Sequence, residues 1–422
     1  MNEQIKQRIT QLNNGEVPTG YKKTDFGIFP CDWVTDKKLK ELGKFGKGKG
    51  LPGNKMKSEG VPCIGYGDIY MKYNHFHFEK ALNFVDEKTA SESQPIHKGT
   101  LLFTGTGETA DEIGKCVCYN GDETIYAGGD IITFVGKEVN PLFLAYQQYQ
   151  EFSLRKKSSY GQGHSVVHIQ RENLEKLNVA YPKSTEEQSK IAEILMKWDE
   201  AIELQEQYIQ TLLSMKITYV DKFFCAPGEE KTKFYLLYKT AGEGGTPDTK
   251  KQAYYDSEDV PFVKIEHLAE KYITKIDSYI SNLGLQKSGA WLVPENCLIF
   301  SNGATIGEAS INKIPVATKQ GILGIVPSNV IDVEYFYYLV KSKYFLSKVK
   351  KITTKGTMCT AYLKDINNLR LFLHEKADQI KIAKLLSSID CLIESEKQKI
   401  GLLKDQRKTL QQYLLNGIVR VK

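Results

Sequence analysis

The sequence predicts an α+β protein built from two pseudo-symmetric globular domains, separated by two long antiparallel helices that form a coiled-coil spacer. Three observations support this prediction: a long internal repeat, a heptad pattern in both copies of its helical part, and short apolar runs alternating with glycine-rich turns elsewhere. The chain has 422 residues, 41% of them hydrophobic, which suits two domains of ordinary size with well-formed cores.

The internal repeat is clearest in two segments, residues 185–224 and 376–415. Sliding one onto the other aligns Gln188/Gln379, Ile191/Ile382, Ala192/Ala383, Leu195/Leu386, Asp199/Asp390, Ile202/Ile393, Glu203/Glu394, Ile209/Ile400 and Leu212/Leu403. A period of about 190 residues is too long for a solenoid unit, so the repeat indicates two copies of a domain-plus-helix module. The predicted boundaries are residues 1–183, 184–224, 225–374 and 375–422, for first domain, central helix, second domain and C-terminal helix.

The first domain is predicted to open with a short polar helix at about residues 2–13. A lead-in follows, GYKKTDFGIFPCDWVTDKKLKEL, which is rich in Gly, Pro and aromatic residues. From Gly43 to Pro182, short apolar runs alternate with glycine-rich turns, which is typical of strands. A helix is predicted near 141–156, because Asn140-Pro141 suits a first helical turn, and a shorter one near 170–176.

The second domain repeats the pattern of the first. DVPFVKIEHL follows GVPCIGYGDI, and NCLIFSNGATIGE follows GTLLFTGTGETADEIG. VEYFYYLVKSKYFLSKVK corresponds to PLFLAYQQYQEFSLRKK, and TKGTMCTAYLKDINNLRLFL corresponds to YGQGHSVVHIQRENLEKLNVA. The framework is kept while the loops differ, as expected if the loops carry the choice of target.

Both long helical segments carry a heptad seam, the spacing of residues by which two helices pair. The first seam comprises Trp198, Ile202, Gln205, Ile209, Leu212, Lys216, Tyr219 and Phe223, and the second comprises Ile389, Ile393, Glu396, Ile400, Leu403, Arg407, Leu410 and Leu414. Polar residues interrupt both seams at the same two places, Gln205/Glu396 and Lys216/Arg407.

An antiparallel pairing of the seams places Lys216 opposite Glu396 and Gln205 opposite Arg407. A parallel pairing in register would set Lys216 against Arg407, which is repulsive. A polar layer costs stability but can fix the register of a coiled coil, so the sequence predicts the antiparallel form. A helix of this length spans roughly 60 Å, which would make a rigid spacer. The alternative is two amphipathic helices that each pack on their own domain.

The charge is mildly basic, with a net value of +6 and a pI of about 8.6. Two segments concentrate it: residues 37–57 hold eight lysines and one acid, and residues 345–364 hold five lysines and no acid. Such segments are either solvated surfaces or surfaces that face a polyanion, and composition alone leaves both possibilities open.

Cysteine spacing and hydropathy disfavour several classes of protein. No Cys-x-x-Cys pair occurs, which argues against a structural zinc site, and scattered cysteines are typical of a reduced cytosolic protein. The segment MNEQIKQRITQLNNGE lacks the apolar stretch of a signal peptide, and no run is long and apolar enough to span a membrane. A cytoplasmic protein without a membrane partner is therefore expected.

Enzymatic motifs are missing from the sequence. An amino-methyltransferase needs an Asp/Asn-Pro-Pro-Tyr/Phe loop, and the chain has no Pro-Pro pair. GTGETA at 105–110 is not followed by a predicted helix, and Gly114-Lys115 lacks the earlier glycine of a P-loop. The histidines are isolated and show no metal-ligand spacing. We therefore expect no catalytic residue, no metal ligand and no cofactor on this chain.

The order and duplication of these motifs resemble the DNA specificity (S) subunit of type I restriction–modification systems, over essentially the whole chain. The resemblance rests on the lead-in GYKKTDFGIFPCDW, the helix starts EQSKIA and DQIKIA with a following aspartate (Asp199, Asp390), the loops GKGLPGN and GEGGTPDTKK, and the segments LLFTGTG and LIFSNGATIG. It implies two target recognition domains, each reading one half of a bipartite double-stranded DNA sequence, and helices that dock methyltransferase subunits.

The resemblance also implies a role within a larger complex. The chain would be a non-catalytic reader that directs N6-adenine methylation by two methyltransferase (M) subunits and ATP-dependent cleavage by restriction/translocase (R) subunits. S-adenosylmethionine, ATP and Mg would then be bound by the partner subunits. The alternative function is a tandem protein-binding adaptor built on a coiled coil. An enzyme with an unrecognised site is disfavoured by the missing motifs.

Residues expected to contact DNA lie in loops rich in Lys, Gly, Ser, Thr and Asn, since such groups fix phosphates or read base edges. In the first domain they are Lys47, Lys49, Asn54, Lys55, Thr104, Thr106, Tyr160, Gln162, His164 and Ser165. In the second domain they are Thr246, Lys250, Lys251, Tyr254, Ser301, Asn302, Lys319, Gln320, Thr353, Lys355 and Thr357.

Overall fold

A computed structural model describes residues 3–51, 53–73, 76–163, 165–225, 229–303, 305–354 and 359–421, with the Asn54 side chain outside the described part. The chain divides into two compact units. Unit 1 comprises Met1–Gln205 and Ile400–Lys422, and unit 2 comprises Glu206–Lys399. Each long helix therefore contributes one part to each unit.

Unit 1 contains short helices and strands ahead of the first long helix. Its helices are α1 (Glu3–Asn13), α2 (Tyr66–Met71), α3 (Glu87–Ser91), α4 (Pro141–Gln147), α5 (Glu151–Tyr160) and α6 (Arg171–Leu174). Its strands are β1 (Tyr21–Thr24), β2 (Gly27–Pro30), β3 (Trp33–Val34), β4 (Gly43–Lys47), β5 (Val61–Ile64), β6 (His77–Phe78), β7 (Asn83–Val85), β8 (Gln94–Ile96), β9 (Thr100–Thr104), β10 (Thr106–Gly107), β11 (Cys116–Tyr119), β12 (Ile125–Ala127), β13 (Ile131–Gly136), β14 (Val167–His168) and β15 (Tyr181–Pro182).

The first long helix, α7 (Thr185–Phe224), leads from unit 1 into unit 2. The strands of unit 2 are β16 (Thr232–Lys233), β17 (Tyr238–Glu243), β18 (Val260–Val263), β19 (Tyr272–Ile273), β20 (Tyr279–Ile280), β21 (Leu292–Val293), β22 (Leu298–Ser301), β23 (Ala309–Asn312), β24 (Val316–Thr318), β25 (Ile322–Pro327) and β26 (Arg370–Leu371). Its helices are α8 (Asn282–Gln286), α9 (Val333–Lys341), α10 (Lys343–Ile352), α11 (Leu363–Ile366) and the start of the second long helix, α12 (Lys376–Leu415).

The two units share one sheet topology. In unit 1 a five-stranded sheet has the order β4-β13-β9-β11-β6, and a four-stranded sheet has the order β7-β5-β12-β8. In unit 2 the corresponding orders are β17-β25-β22-β23-β19 and β20-β18-β24-β21. The buried strands are continuous apolar runs, as in β9 and β22, because both faces of the central strands are covered. The predicted α+β architecture with two repeated modules is confirmed.

Both long helices coincide with the repeated segments, 185–224 and 376–415, so the second helix ends at Leu415 and not at the predicted boundary, residue 422. In unit 1, Ile191 and Leu195 of α7 belong to the same hydrophobic core as Leu414 and Leu415 of α12. In unit 2, Phe224 of α7 shares a core with Ile382 and Leu386 of α12. Within each unit the two helices therefore run antiparallel.

The sixteen predicted seam residues are all buried or half-buried. The predicted partners of the polar seam residues are wrong, however. Lys216 pairs with Asp390 rather than Glu396, and Arg407 pairs with Asp199 rather than Gln205. A heptad count assumes that paired residues lie at the same height along the two helix axes. Long cationic side chains instead reach an aspartate on another turn, where a tyrosine hydroxyl also binds the carboxylate.

The single helix predicted near 141–156 is also wrong, since the structure has two helices there, α4 and α5. Asn140 caps α4 through its side-chain oxygen, which accepts from the Phe143 N–H at 3.0 Å. The chain then turns at 148–150, and this turn lets the Tyr149 hydroxyl bond both the N–H and the carbonyl of Cys116, at 3.1 and 2.7 Å. The helix period alone does not reveal this tertiary contact. The short helix predicted near 170–176 corresponds to α6.

The lead-in of unit 1 binds the residues that follow α12. The Tyr21 hydroxyl donates to the Gly417 carbonyl at 2.6 Å. Arg420 donates to the carboxylates of both Asp32 and Glu187, at 2.7 to 3.0 Å. These contacts tie the lead-in, the start of α7 and the C-terminal residues into one unit.

Candidate nucleic-acid interface

Several loops of unit 1 meet at one end of its five-stranded sheet. The Gly48 N–H donates to the Ile131 carbonyl at 2.7 Å, and the Gly105 N–H donates to the Asp130 carbonyl at 2.8 Å. The Gly105 carbonyl in turn accepts from the Ile169 N–H at 3.0 Å. We call this surface loop edge 1, and it comprises the described residues of 47–55, 104–112, 128–130 and 160–169.

Unit 2 forms the corresponding surface with the same bonds. The Gly244 N–H donates to the Ile322 carbonyl at 3.0 Å, and the Asn302 N–H donates to the Gly321 carbonyl at 3.1 Å. The Asn302 carbonyl accepts from the Ala361 N–H at 2.9 Å. We call this surface loop edge 2, and it comprises the described residues of 243–251, 301–303, 319–321 and 353–361.

The first glycine of each loop edge is required by close backbone packing. A Cβ at Gly48 would overlap the Gly128 carbonyl, and a Cβ at Gly244 would overlap the Thr318 carbonyl. This is the physical reason for the last glycine of Gly46-Lys47-Gly48 and of Gly242-Glu243-Gly244. The same backbone path thus presents different side chains in the two units.

Most of the predicted DNA-contacting residues lie on the two loop edges. Exposed ones are Lys47, Lys49, Lys55, Gln162 and Ser165 in unit 1 and Lys250, Lys251, Lys319 and Gln320 in unit 2. Half-buried ones are Thr106, Tyr160, Thr246 and Thr353. His164, Lys355 and Thr357 lie outside the described residues, as does the side chain of Asn54. Each loop edge therefore combines several lysines with hydroxyl and amide groups.

Four predicted contact residues are buried, and a direct DNA contact from them is a wrong prediction. Thr104 and Ser301 end the buried strands β9 and β22, and their hydroxyls bond Tyr70 at 2.7 Å and Thr305 at 3.3 Å. The Asn302 amide donates to the Ala361 carbonyl at 3.2 Å. The Tyr254 ring lies beneath the Lys251 ammonium, 5.4 Å away. Polarity in sequence does not distinguish a strand end from the exposed loop after it.

Sequence reasoning missed two groups on these surfaces. The Lys156 ammonium lies 5.0 Å from the centre of the Tyr160 ring, so the ring at loop edge 1 carries a cation. Glu243, at the end of β17, accepts from the Gly321 N–H at 2.9 Å. The residue types predicted to contact DNA, cations and neutral polar groups, do not include a carboxylate. The sequence nevertheless indicated the position of Glu243, because this residue lies in the paired loop GEGGTPDTKK.

The titratable groups beneath loop edge 1 are structural. Burial raises the pKa of Tyr70, which keeps its hydroxyl neutral for the bond to Thr104. Burial lowers the pKa of Lys115, whose ammonium lies 5.7 Å from the centre of the Tyr70 ring. In the part of the chain that the structure describes, no group of three or more His, Cys, Asp or Glu residues could hold a metal ion. None of the described helices is both long and apolar enough to cross a membrane.

A family model described as the type I restriction modification DNA specificity domain matches residues 30–214 and again 239–405. These two matches cover most of the chain and coincide with the internal repeat. The MjaIX specificity subunit of a type I restriction enzyme from Methanocaldococcus jannaschii is 24% identical over 431 residues, covering 96% of this chain and 97% of that protein. The MjaVIII specificity subunit from the same organism is 24% identical over 356 residues, covering 78% of this chain and 80% of that protein.

Solved structures share the fold at low sequence identity. The S subunit of the type I restriction–modification system of M. genitalium has a TM-score of 0.54 at 16% identity, covering 90% of this chain and 96% of that chain. A chain from work on assembly and conformational transition of the type I R-M system has a TM-score of 0.59 at 13% identity, covering 96% and 100%. The chain thus belongs to the type I restriction–modification DNA specificity family, as a non-catalytic subunit that acts on DNA within a complex of several subunits.

Proposed function

We propose that each loop edge reads one half of a bipartite double-stranded DNA target. The observation that carries this proposal is the duplication of one backbone framework with different side chains at its end. The three bonds of Gly48, Gly105 and Ile169 recur at Gly244, Asn302 and Ala361. A repeated framework with variable loops suits two readers of unlike sequences.

Charge supports a DNA-facing role for both loop edges. Lys47, Lys49 and Lys55 are exposed on loop edge 1, and Lys250, Lys251 and Lys319 are exposed on loop edge 2. Lysines of this kind bind phosphates and supply affinity that depends on salt, while neighbouring amides and hydroxyls read base edges. Gln162 and Gln320 are exposed amides that suit base reading.

The long helices suit docking of partner subunits. In unit 1, Leu204 of α7 and Leu402 of α12 are 65% and 64% exposed. In unit 2, Ile217 of α7 and Leu385 of α12 are also exposed. Exposed leucines and isoleucines on paired helices favour burial against helices of another protein. We propose that two methyltransferase subunits cover these side chains.

The catalytic steps then fall to the partners. We propose that the methyltransferase subunits, with S-adenosylmethionine, methylate adenine N6 at the target, and that restriction/translocase subunits, with ATP and Mg, cleave DNA. The chain's own contribution is to position these subunits on a chosen sequence in the cytoplasm. It carries the choice of sequence, and the partners carry the chemistry.

Electrophoretic mobility of a DNA duplex with the chain and its methyltransferase subunits tests this proposal. We expect a retarded complex whose affinity falls as salt rises, because lysine–phosphate contacts release counterions. A complex assembled from all subunits that fails to retard DNA even at low salt would contradict the proposal. Mapping of N6-methyladenine in host DNA tests whether the selected sequence has two separated halves.

A further inference from the structure

Glu243 places a fixed carboxylate on loop edge 2. It is the last residue of β17 and is half-buried. One carboxylate oxygen accepts from the Gly321 N–H at 2.9 Å, and the other faces the Asn302 side-chain amide nitrogen at 3.4 Å. The amide orientation of Asn302 is set independently, because the same nitrogen also donates to the Ala361 carbonyl. The carboxylate is therefore held from two sides beneath the turn at 319–321.

Unit 1 has a lysine at the equivalent place. Lys47 pairs with Ile132 across β4 and β13, and Glu243 pairs with Leu323 across β17 and β25. Each is followed by the glycine whose N–H bonds the first residue of the partner strand. The same backbone position thus carries a cation in one unit and an anion in the other.

The groups around Glu243 also differ from those of unit 1. Asn302 corresponds to Gly105, as their shared backbone bonds show. Thr318 corresponds to Ala127, since Thr318 pairs with Val263 as Ala127 pairs with Ile64. Glu243, Asn302 and Thr318 are thus polar residues of unit 2 whose counterparts in unit 1 are a lysine, a glycine and an alanine, and Asn302 contacts Glu243 directly.

Two side-chain atoms of these residues are buried and have no hydrogen-bond partner among the residues that the structure describes. They are the side-chain oxygens of Asn302 and Thr318, and both residues are 0% exposed. Buried polar atoms without a partner are uncommon in folded proteins. Asn302 therefore differs from Gly105 by a buried amide group that contacts the Glu243 carboxylate.

The chemistry of the Glu243 carboxylate indicates which ligand it could bind. An ionised carboxylate only accepts hydrogen bonds, and each oxygen retains capacity beyond its bond within the protein. The Glu243 carboxylate repels phosphate. The exposed Lys250, Lys251 and Lys319 on the same loop edge attract phosphate. In the DNA major groove, the exposed donors are the exocyclic amino groups of cytosine (N4) and adenine (N6). The group that this carboxylate can bind is therefore an amino group of a base.

We propose that Glu243 is a specificity-determining residue of unit 2, accepting a hydrogen bond from the amino group of a cytosine or adenine at one position of its half-site. This inference rests on the proposed function, since it assumes that loop edge 2 faces DNA. Asn302 is a positioning residue that holds the carboxylate. Lys47, at the equivalent place in unit 1, binds phosphate and carries no such preference.

Selection from a randomised duplex pool tests this inference. The chain, assembled with its methyltransferase subunits, is compared with its Glu243→Gln and Glu295→Gln variants. Glu295 is an exposed glutamate before β22, at the end of that strand opposite to loop edge 2, and so provides a matched control. We expect the wild-type complex to select one defined base pair, in one orientation, at the half-site position that faces Glu243. Glu243→Gln, which can also donate, should lose roughly tenfold of that preference and leave the other half-site unchanged.

The outcomes separate the two proposals. A wild-type complex that enriches no sequence overturns the proposed function itself. A wild-type complex that enriches a bipartite sequence, with Glu243→Gln enriching the same sequence equally well, overturns only the role of Glu243. Loss of preference in both half-sites, or the same change in Glu295→Gln, also overturns it, because a structural defect rather than one base contact would then explain the result.

Discussion

Arg407 binds both carboxylate oxygens of Asp199, at 2.8 and 3.1 Å, and joins the second long helix to the first within unit 1. The two side chains are only 9% and 6% exposed. The Tyr146 hydroxyl donates to the same carboxylate at 2.8 Å, and the guanidinium lies 4.3 Å from the centre of the Phe76 ring. The pair therefore links α4 and both long helices in one buried contact.

Unit 2 repeats this contact with a lysine. Lys216 lies 2.5 Å from the Asp390 carboxylate, and the Tyr338 hydroxyl donates to that carboxylate at 2.5 Å. The side chains of Lys216 and Asp390 are about a quarter exposed, so water weakens this pair relative to that of Arg407. The tyrosine and the aspartate are thus retained in both units while the cation and its burial differ.

Replacing Arg407 with Met should destabilise unit 1 strongly, because Asp199 would stay buried without its cation. We expect the free energy of unfolding to fall by roughly 3–5 kcal/mol, the usual cost of breaking a buried ion pair from one side. Lys216→Met should cost less, and the double variant Arg407→Met/Asp199→Leu should recover much of the loss. Denaturant unfolding measures all three, and an Arg407→Met midpoint equal to that of the wild type would contradict this role.

Lys157 should make stability depend on pH. Its side chain is fully buried, its ammonium donates to the Gly114 carbonyl at 2.9 Å, and burial lowers its pKa from 10.5 to about 8. Between these values the unfolded chain keeps a proton that the folded chain has lost. The contribution of Lys157 to stability therefore rises with pH through this window, by at most about 1.4 kcal/mol per pH unit.

Lys157→Met tests this linkage, since Val349 holds the same place in the corresponding helix of unit 2. We expect the variant to lose the rise in stability between pH values of about 8 and 10.5. Lys156→Met, the exposed neighbour, should keep the wild-type slope. Urea unfolding at several pH values gives the slopes, and equal slopes for Lys157→Met and the wild type would rule out the linkage.

Removing charge at Lys47 and Lys49 should weaken binding to every DNA sequence. If each lysine contacts one phosphate, the double Gln variant should lower the slope of log affinity against log salt by about 2. Lys44→Gln is the matched control, because this exposed lysine lies at the other end of the same strand. Salt titrations of the assembled complex decide the matter, and an unchanged slope in the double variant would show that loop edge 1 does not face phosphates.

Charged residues on the exposed apolar face of unit 1 should block assembly. Leu204→Glu and Leu402→Glu would place carboxylates where the proposal puts methyltransferase helices, and we expect copurification with those subunits to fall at least tenfold. Leu82→Glu is the control, since Leu82 is 54% exposed and its N–H donates to the Tyr73 hydroxyl, which belongs to neither long helix. Copurification that survives both helix substitutions would place the docking surface elsewhere.

The long helices and the repeated strands could be predicted because their signals are periodic and occur twice. Each helix spans its repeated segment, since a shared register constrains both copies together, although the predicted C-terminal segment extended past Leu415 to residue 422. The break between α4 and α5 could not be predicted, because it follows from where Tyr149 meets Cys116 in the fold. The partners of Lys216 and Arg407 depend on the reach of long side chains, which a heptad count does not contain.

The loop edges were predicted in part. Exposed lysines such as Lys47 and Lys250 follow from glycine-rich, lysine-rich loops. Thr104, Ser301 and Asn302 lie at strand ends, and whether such a residue points into the core depends on strand pairing that one sequence does not reveal. Glu243 was not predicted, because the hydrogen bond that holds its carboxylate depends on the fold and is not visible in the sequence.

The central claim is that each unit reads its own half of one DNA target. Methylome sequencing tests it most directly, in a host that expresses the methyltransferase subunits with either this chain or a chimera whose residues 225–374 come from another family member. We predict a bipartite N6-methyladenine motif for the wild-type chain, and a chimera motif in which one half changes while the other stays the same. A chimera motif that changes in both halves, or in neither, would contradict the account.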